Sequence, residues 1–254
     1  MQRPDETAVV GSDQAKIAAT GLKAMIPFRR PFLDYVLSAL ADGGCDAACL
    51  VIGPEHTMVR EYYQRTRPPT RLRVDFAVQR EPRGTADAVL AAEPFAARDP
   101  FLVLNSDNYY PAEVFRGLIA LDGPGLPAFG RAALVAESNI DPERIRSFAM
   151  LTIDGQGILQ DIVEKPDPET FAQLRDVRVS MNCWRFGPSI FDACRKVEVS
   201  PRGEIELPNA VRYAIKVMGE RFQTFPVDVG VLDLSRREDI ADVETRLAGI
   251  DPHP

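Results

Sequence analysis

Two short stretches of this chain place polar groups where a ligand could be held. One is the run Q-R-E-P-R-G-T-A from Gln79 to Ala86. Gly84 and Thr85 form a small, permissive turn there, where backbone can come close to a ligand. Gln79 carries a donor and an acceptor on one amide, so it can pair with the edge of a pyrimidine base. The other stretch is N-S-D-N, Asn105 to Asn108, directly after the apolar run Phe101-Leu-Val-Leu104. Ligands of open α/β sheets bind at the carboxyl ends of strands, so a carboxylate and amides there are well placed. Each piece alone has a plain explanation. Gly84-Thr85 would start a helix, Gln79 would end a strand in solvent, and Asp107-Asn108 would turn the chain.

The elements that must position these groups follow from periodicity. Thr85 is a candidate N-cap for a helix over 86–93, and 101–104 reads as a buried parallel strand. Upstream, Phe32, Leu33, Val36, Leu37 and Leu40 recur at helical spacing after Pro31, and Gly43-Gly44 ends that helix. A strand over 48–52, a helix over 55–64 and a strand over 72–78 complete a β-α-β alternation, which implies a parallel sheet covered on both faces. Downstream the pattern is mixed. It predicts a helix over 112–121, a strand over 132–136, and strands over 148–153 and 158–163 flanking the hairpin signal Asp154-Gly-Gln-Gly157. A short helix from 167, a strand over 179–186, helices over 189–196 and 204–218, short strands over 222–225 and 229–234, and a closing helix over 236–247 follow. Residues 1–21 are polar, with an Ala-rich piece over 14–20 that suits one helix, and no apolar strand precedes it. With no linker in sight, 1–254 reads as one domain.

Composition narrows the function classes. The 254 residues carry 30 basic and 37 acidic side chains, a net charge of -7, with no basic run to follow a phosphate backbone, so nucleic acid is not an expected partner. Nothing reaches the length of a membrane span and the start lacks a signal-peptide pattern. The four cysteines have no C-x-x-C spacing and only two histidines are present, which argues against zinc and for reduced thiols in the cytoplasm.

In combination and in this spacing, the two stretches resemble the sugar-1-phosphate nucleotidyltransferases, whose base-recognition segment reads Q-x-E-P-x-G-T-A and whose next strand ends in a metal-holding Asp. The resemblance runs from about 21 to 247. It implies a Rossmann-like, GT-A-like three-layer α/β/α fold with a mixed, mainly parallel sheet, a nucleotide-binding half over 21–110 and a sugar-phosphate-binding half over 111–247. Lys23-Ala-Met-Ile-Pro-Phe resembles the family's P-K-x-M-L-P-V, which casts Lys23 as a catalytic residue that neutralises triphosphate charge. Gln79, Gly84 and Thr85 would bind the nucleotide. Asp107 would be catalytic, would contact the nucleotide and would hold Mg²⁺, a hard cation that takes a few carboxylates and otherwise water and phosphate oxygens. Asp233, in V-G-V-L-D-L, is similar to the second metal-holding Asp of W-x-D-I-G-T-P-E-D, although Ser235-Arg-Arg-Glu-Asp239 departs from that pattern and Asp228 competes for the role.

The sugar-phosphate side would use Asn108, then Glu164 and Lys165 of V-E-K-P for sugar hydroxyls and phosphate, and Ser180 and Asn182 of a strand that elsewhere in the family reads N-x-G-x-Y-x-F. Trp184 is assigned to the core, and Glu204 and Glu206 of G-E-I-E-L to structure. The family's opening strand and its G-x-G-T-R-M loop have no counterpart. Met1 fits as the last residue of that loop, so the expectation is a chain starting at an internal Met, less stable than an extended form. The implied activity is transfer of a nucleotidyl group from UTP or dTTP to a sugar-1-phosphate, with self-assembly left open. The rivals are a non-catalytic nucleotide-sugar-binding or regulatory homologue, and a transferase acting on a non-sugar phosphate such as phosphocholine.

Overall fold

The computed structural model describes residues 14, 17, 21–164 and 178–254. Of the segment expected to be helical over 14–20, Gln14 and Ile17 are described and both are helical. The short helix expected from 167 lies outside the described residues.

In chain order, a 3-10 turn Lys23–Met25 leads to α1 (Phe32–Asp42), β1 (Ala47–Ile52), α2 (Thr57–Glu61) running into a π turn (Tyr62–Thr66), and β2 (Arg73–Val78). Then come α3 (Thr85–Ala91), α4 (Glu93–Ala96), β3 (Phe101–Leu104), β4 (Asn108–Tyr109), α5 (Ala112–Ile119), β5 (Gly125–Gly130), α6 (Arg131–Glu137) and α7 (Pro142–Ile145). The chain continues through β6 (Ala149–Ile153), β7 (Leu159–Val163), β8 (Arg178–Ser180), β9 (Cys183–Phe186), α8 (Ser189–Lys196), α9 (Leu207–Lys216), β10 (Gln223–Val227), β11 (Leu232–Asp233) and α10 (Asp239–Leu247).

The sheets are mixed. A seven-stranded sheet runs β3-β9-β5-β8-β6-β7 with β10 beside β5, while β1-β2 and β11-β4 form two-stranded ladders of their own. β1-β2 and β5-β10 are parallel and the remaining ladders are antiparallel, so the pairing is mainly antiparallel rather than mainly parallel as expected. β3, expected as a parallel strand, pairs antiparallel with β9, with Phe101 opposite Phe186 and Leu104 opposite Cys183. A four-residue apolar run cannot report its partner's direction, and here the partner, Cys183–Phe186, arrives from far downstream.

Side chains alternate across the seven-stranded sheet with period 2, and each face buries its own apolar cluster. Phe129, Met150, Val179 and Cys183 face a cluster built with α1 and α5. Leu126, Ala128, Leu151, Trp184 and Phe186 face a second, built with α3, α8 and α9. Helices on both faces make the three-layer α/β/α arrangement expected from the sequence. Trp184 is fully buried and stacks on Phe186, with ring centroids 5.8 Å apart, in keeping with a core role.

One expected strand is displaced. Residues 131–137 form α6 rather than a strand over 132–136, and the strand is the preceding G-L-P-A-F-G, buried throughout. Ala-Ala-Leu-Val-Ala favours a helix on propensity, and the Gly and Pro residues of β5 disguised it as a loop. Pro127 is tolerated because β5 pairs on that side only at Gly125 with β9 and at Phe129 and Gly130 with β8, leaving Pro127 between the two ladders. The expected strand over 179–186 is split into β8 and β9 at Asn182, which adopts a left-handed φ of 56°. Asn accepts that region more readily than most residues, so it can stand where the family's strand has Gly. The hairpin at Asp154 forms as expected, its Oδ1 accepting the N–H groups of Gln156 and Ile158 at 2.9 Å, which lowers its pKa.

A buried ionic knot fixes α1. Asp34, with no exposed surface, meets Arg30 Nε at 2.6 Å and accepts the hydroxyls of Tyr63 at 2.8 Å and Tyr62 at 3.2 Å. Removing one partner of such a pair leaves a charge without compensation. Asp34→Ala is expected to destabilise the protein by about 3–5 kcal/mol, read as a lowered urea midpoint at unchanged m. A shift under about 1 kcal/mol would contradict it.

Candidate active site

The site is assembled by the short β4-β11 ladder. Asn108 lies opposite Asp233 and Tyr109 opposite Leu232, and the carbonyl of Asp107 accepts the N–H of Leu234 at 2.8 Å. Two carboxylates 126 positions apart in sequence are thereby brought side by side. Burial, then the negative charge of Asp233, pushes the Asp107 carboxyl above its ordinary pKa, and Lys23 partly offsets this. Lys23 leaves the 3-10 turn and donates to the carbonyl of Ser235, whose own N–H donates to Asp233 Oδ1 at 2.7 Å. Asn139 clamps the Asp233 backbone twice, donating to its carbonyl at 2.7 Å and accepting its N–H at 2.8 Å. Asp233 Oδ2 lies 3.3 Å from Arg144. The competing candidate, Asp228, is engaged elsewhere, with Arg178 at 2.8 Å.

This donor set fits a hard divalent cation. A partly desolvated carboxylate with a second one beside it is the arrangement a cation would relieve. Two carboxylates suffice for an ion that keeps water and phosphate oxygens in its remaining positions. Among the described residues no group of three or more His, Cys, Asp or Glu side chains forms a fuller cage.

A second group gathers around the G-T-A turn. Gln79 directly follows β2, its N–H bonded to the Ile52 carbonyl at 2.9 Å. Its Nε2 donates to the Gly84 carbonyl at 3.0 Å and to Asp87 Oδ2 at 2.9 Å, leaving the amide oxygen to accept. Gly84 has φ 119° and lies flat against the backbone of Ile205. The Arg83 carbonyl accepts the N–H of Ile205 at 2.7 Å, and Ala86 N–H returns a bond to the Ile205 carbonyl at 2.9 Å. Thr85 does not cap its own helix as expected. Gly84 is the N-cap of α3, and the Thr85 hydroxyl accepts the N–H of Leu207 at 2.9 Å, satisfying the first turn of α9 instead.

The same Ile205–Leu207 segment leads to the third group. Glu206, largely buried, accepts from Ser200 Oγ at 3.0 Å and forms an ion pair with Arg202 Nε at 3.1 Å, and Arg202 also lies 3.6 Å from Glu164 at the end of β7. Lys165 lies outside the described residues. Ser180, 2% exposed, accepts the N–H of Asn182 at 3.2 Å, and the carbonyl of Met181 between them accepts the hydroxyl of Tyr110. The structure thus unites Lys23, Asp107, Asn108 and Asp233, and separately Gln79, Gly84 and Thr85, with Glu206 as the tie toward Glu164. Sequence reasoning missed Ser235, Asn139, Arg144, Asp87 and Arg202. Asp141-Pro142-Glu143 is a readable helix start, with Asp141 Oδ1 accepting Glu143 N–H at 2.7 Å, but no pattern says where the next residue, Arg144, points.

Residues 17–233 match the model of the Nucleotidyl transferase family, and the chain belongs to that family. It is 28% identical to the UTP–glucose-1-phosphate uridylyltransferase AglF of Haloferax volcanii, over 86% of this chain and 84% of that protein. It is 26% identical to the low-salt glycan biosynthesis nucleotidyltransferase Agl11 of the same organism, over 91% of this chain, and spans only 62% of that relative's length. The fold is that of a UDP-glucose pyrophosphorylase solved with UDP-glucose (TM-score 0.70, 17% identity, 89% of this chain and 90% of the other). The UTP-bound enzyme from Acinetobacter baumannii gives a TM-score of 0.71 at 14% identity, over 91% and 88%. Among the described residues no helix is long and apolar enough to cross a membrane.

Proposed function

We propose that this protein transfers a uridylyl or thymidylyl group from UTP or dTTP to a sugar-1-phosphate. An oxygen of the sugar phosphate attacks the α-phosphorus in line, the bond to the β-phosphate oxygen breaks, and pyrophosphate leaves. The convergence of Lys23, Asp107 and Asp233 through the β4-β11 ladder carries this reading. When bound, Mg²⁺ would supply charge neutralisation on the phosphate oxygens, held by Asp107 and Asp233. Lys23 would place an ammonium against charge developing on the α-phosphate, exchanging its bond to the Ser235 carbonyl for the phosphate. Gln79, its Nε2 held by Gly84 and Asp87, would offer its oxygen to the N3–H of uracil or thymine. Glu164 would accept sugar hydroxyls. AglF, a UTP–glucose-1-phosphate uridylyltransferase, supports UTP and glucose-1-phosphate as the first pair to try.

The test is Mg²⁺-dependent pyrophosphate release with UTP or dTTP against a panel of sugar-1-phosphates and phosphocholine. Turnover with at least one sugar-1-phosphate is expected, faster with the pyrimidine triphosphates than with ATP or GTP. Turnover with phosphocholine alone would reassign the acceptor. UDP-sugar binding with no pyrophosphate released would make the protein a binding or regulatory homologue.

A further inference from the structure

Arg144 occupies a position that the reaction scheme above does not explain. It lies in α7 with its side chain 11% exposed, and it reaches two almost fully buried carboxylates, Asp239 Oδ1 at 2.7 Å and Asp233 Oδ2 at 3.3 Å. Each carboxylate is fixed at its other oxygen by a backbone N–H. Arg236 donates to Asp239 Oδ2 at 2.7 Å, and Ser235 donates to Asp233 Oδ1 at 2.7 Å. One guanidinium is therefore shared between a carboxylate assigned to the cation site and one that is not, and it sits closer to the latter.

We propose that Arg144 is an internal counter-cation for the divalent site, a positioning residue that sets how readily Asp233 takes a metal ion. This rests on the two-carboxylate site of the function proposed above. With no ion bound, Asp107 and Asp233 would repel each other; Lys23 offsets the charge of Asp107 and Arg144 that of Asp233. A divalent cation and the guanidinium compete for the same carboxylate, because like charges a few ångströms apart in a partly desolvated site oppose each other strongly. Asp239 gives Arg144 a partner to keep when the ion arrives, so the guanidinium is never left buried and unpaired. The two charge-removing variants then have opposite effects. Arg144→Gln lifts the competition and tightens cation binding. Asp239→Asn removes the alternative partner, drives Arg144 onto Asp233 and weakens binding. If Arg144 merely shaped the loop, both variants would weaken it.

The experiment is a Mn²⁺ titration of the full chain without nucleotide, followed by electron paramagnetic resonance of the free ion, with circular dichroism confirming the fold of each variant. Expected are binding about tenfold tighter in Arg144→Gln, several-fold weaker in Asp239→Asn, and near wild type in Arg144→Lys. The double variant Arg144→Gln/Asp239→Asn is expected to lose the weakening. Asp107→Asn separates the two layers of the proposal. If it binds Mn²⁺ like wild type, the two-carboxylate site itself fails. If it loses the ion while Arg144→Gln binds no tighter, only the role of Arg144 is overturned. Weakening in both Arg144→Gln and Asp239→Asn, or no Mn²⁺ bound by wild type and Arg144→Gln alike, also overturns it. Should Arg144→Gln not fold, Asp239→Asn against Arg144→Lys carries the test, and equal affinity in those two sinks it.

Discussion

Asp107→Asn is expected to abolish turnover, by about 10³-fold or more, and at the same time to raise the melting temperature of the metal-free protein. The loss follows from removing one of two carboxylates that would hold the cation, whose stabilisation of phosphoryl charge is worth several kcal/mol, with each 1.36 kcal/mol counting about tenfold in rate. The gain follows from Asp107 itself. Burial and the neighbouring Asp233 raise its pKa, so the ionised form is disfavoured in the fold relative to the unfolded chain. A carboxyl with a raised folded pKa binds its proton more tightly in the native state. The wild type therefore gains stability as pH falls through that raised pKa, toward the ordinary carboxylate value, and the neutral amide of the variant has no such gain. The difference in melting temperature between variant and wild type is largest near neutral pH and closes on acidification. Thermal melts in chelator across pH 4–8 beside pyrophosphate release at pH 7 measure both arms. A variant that melts no higher than wild type at neutral pH, or whose advantage widens as pH falls, would show that Asp107 is not electrostatically burdened in the metal-free fold.

How much of this was legible in the sequence depended on whether the relevant signal was local. The hairpin at Asp154 and the helix from Phe32 rest on turn chemistry and 3.6-residue spacing, and both form close to where those local signals place them. Asp107 could be found because it ends an apolar run and sits in a spaced pattern. Asp233 could be found only by pattern, since nothing near it says that two residues of strand will pair with Asn108 and Tyr109. The errors have the same physical root. β5 contains two glycines and a proline, so local propensity spoke against a strand that tertiary pairing with β10 and β8 nevertheless made. The direction of β3 is set by β9, far downstream. Thr85 has the residue type and position of an N-cap for its own helix, but the hydroxyl serves an N–H 122 residues away. Arg144, Asn139 and Ser235 act through side-chain reach and backbone geometry, which a one-dimensional pattern does not encode.

Thr85 and its neighbour Gly84 lead to the other large effect, because there the fold and the proposed nucleotide site share the same atoms. Gly84 combines φ 119° with ψ 175°, a region that is essentially reserved for glycine. A Cβ at that position would stand 2.4 Å from the Ile205 carbonyl oxygen and 2.7 Å from its nitrogen. Both are backbone atoms, tied to Arg83 and Ala86 by the two bonds that flank the turn, so no side chain can swing aside. Gly84→Ala must therefore change its own dihedrals or push the Ile205 segment away. Backbone strain alone costs about 1–3 kcal/mol, and the lost bonds to Ile205 and the Thr85 cap on α9 add about 1 kcal/mol each. The expected result is destabilisation of about 3 kcal/mol or more, seen as a lowered urea midpoint. Function should suffer beyond stability, because the Gly84 carbonyl also accepts from Gln79, and displacing it frees the amide that would face the base. At a temperature where the variant remains folded, the KM for UTP is expected to rise by about tenfold or more while kcat falls less, which corresponds to about 1.4 kcal/mol of lost ground-state binding. Ser at the same position should behave like Ala, since the obstacle is any Cβ. If Gly84→Ala melts within a degree of wild type with an unchanged KM for UTP, the close approach of Gly84 to Ile205 is not what holds the proposed base-binding turn in shape.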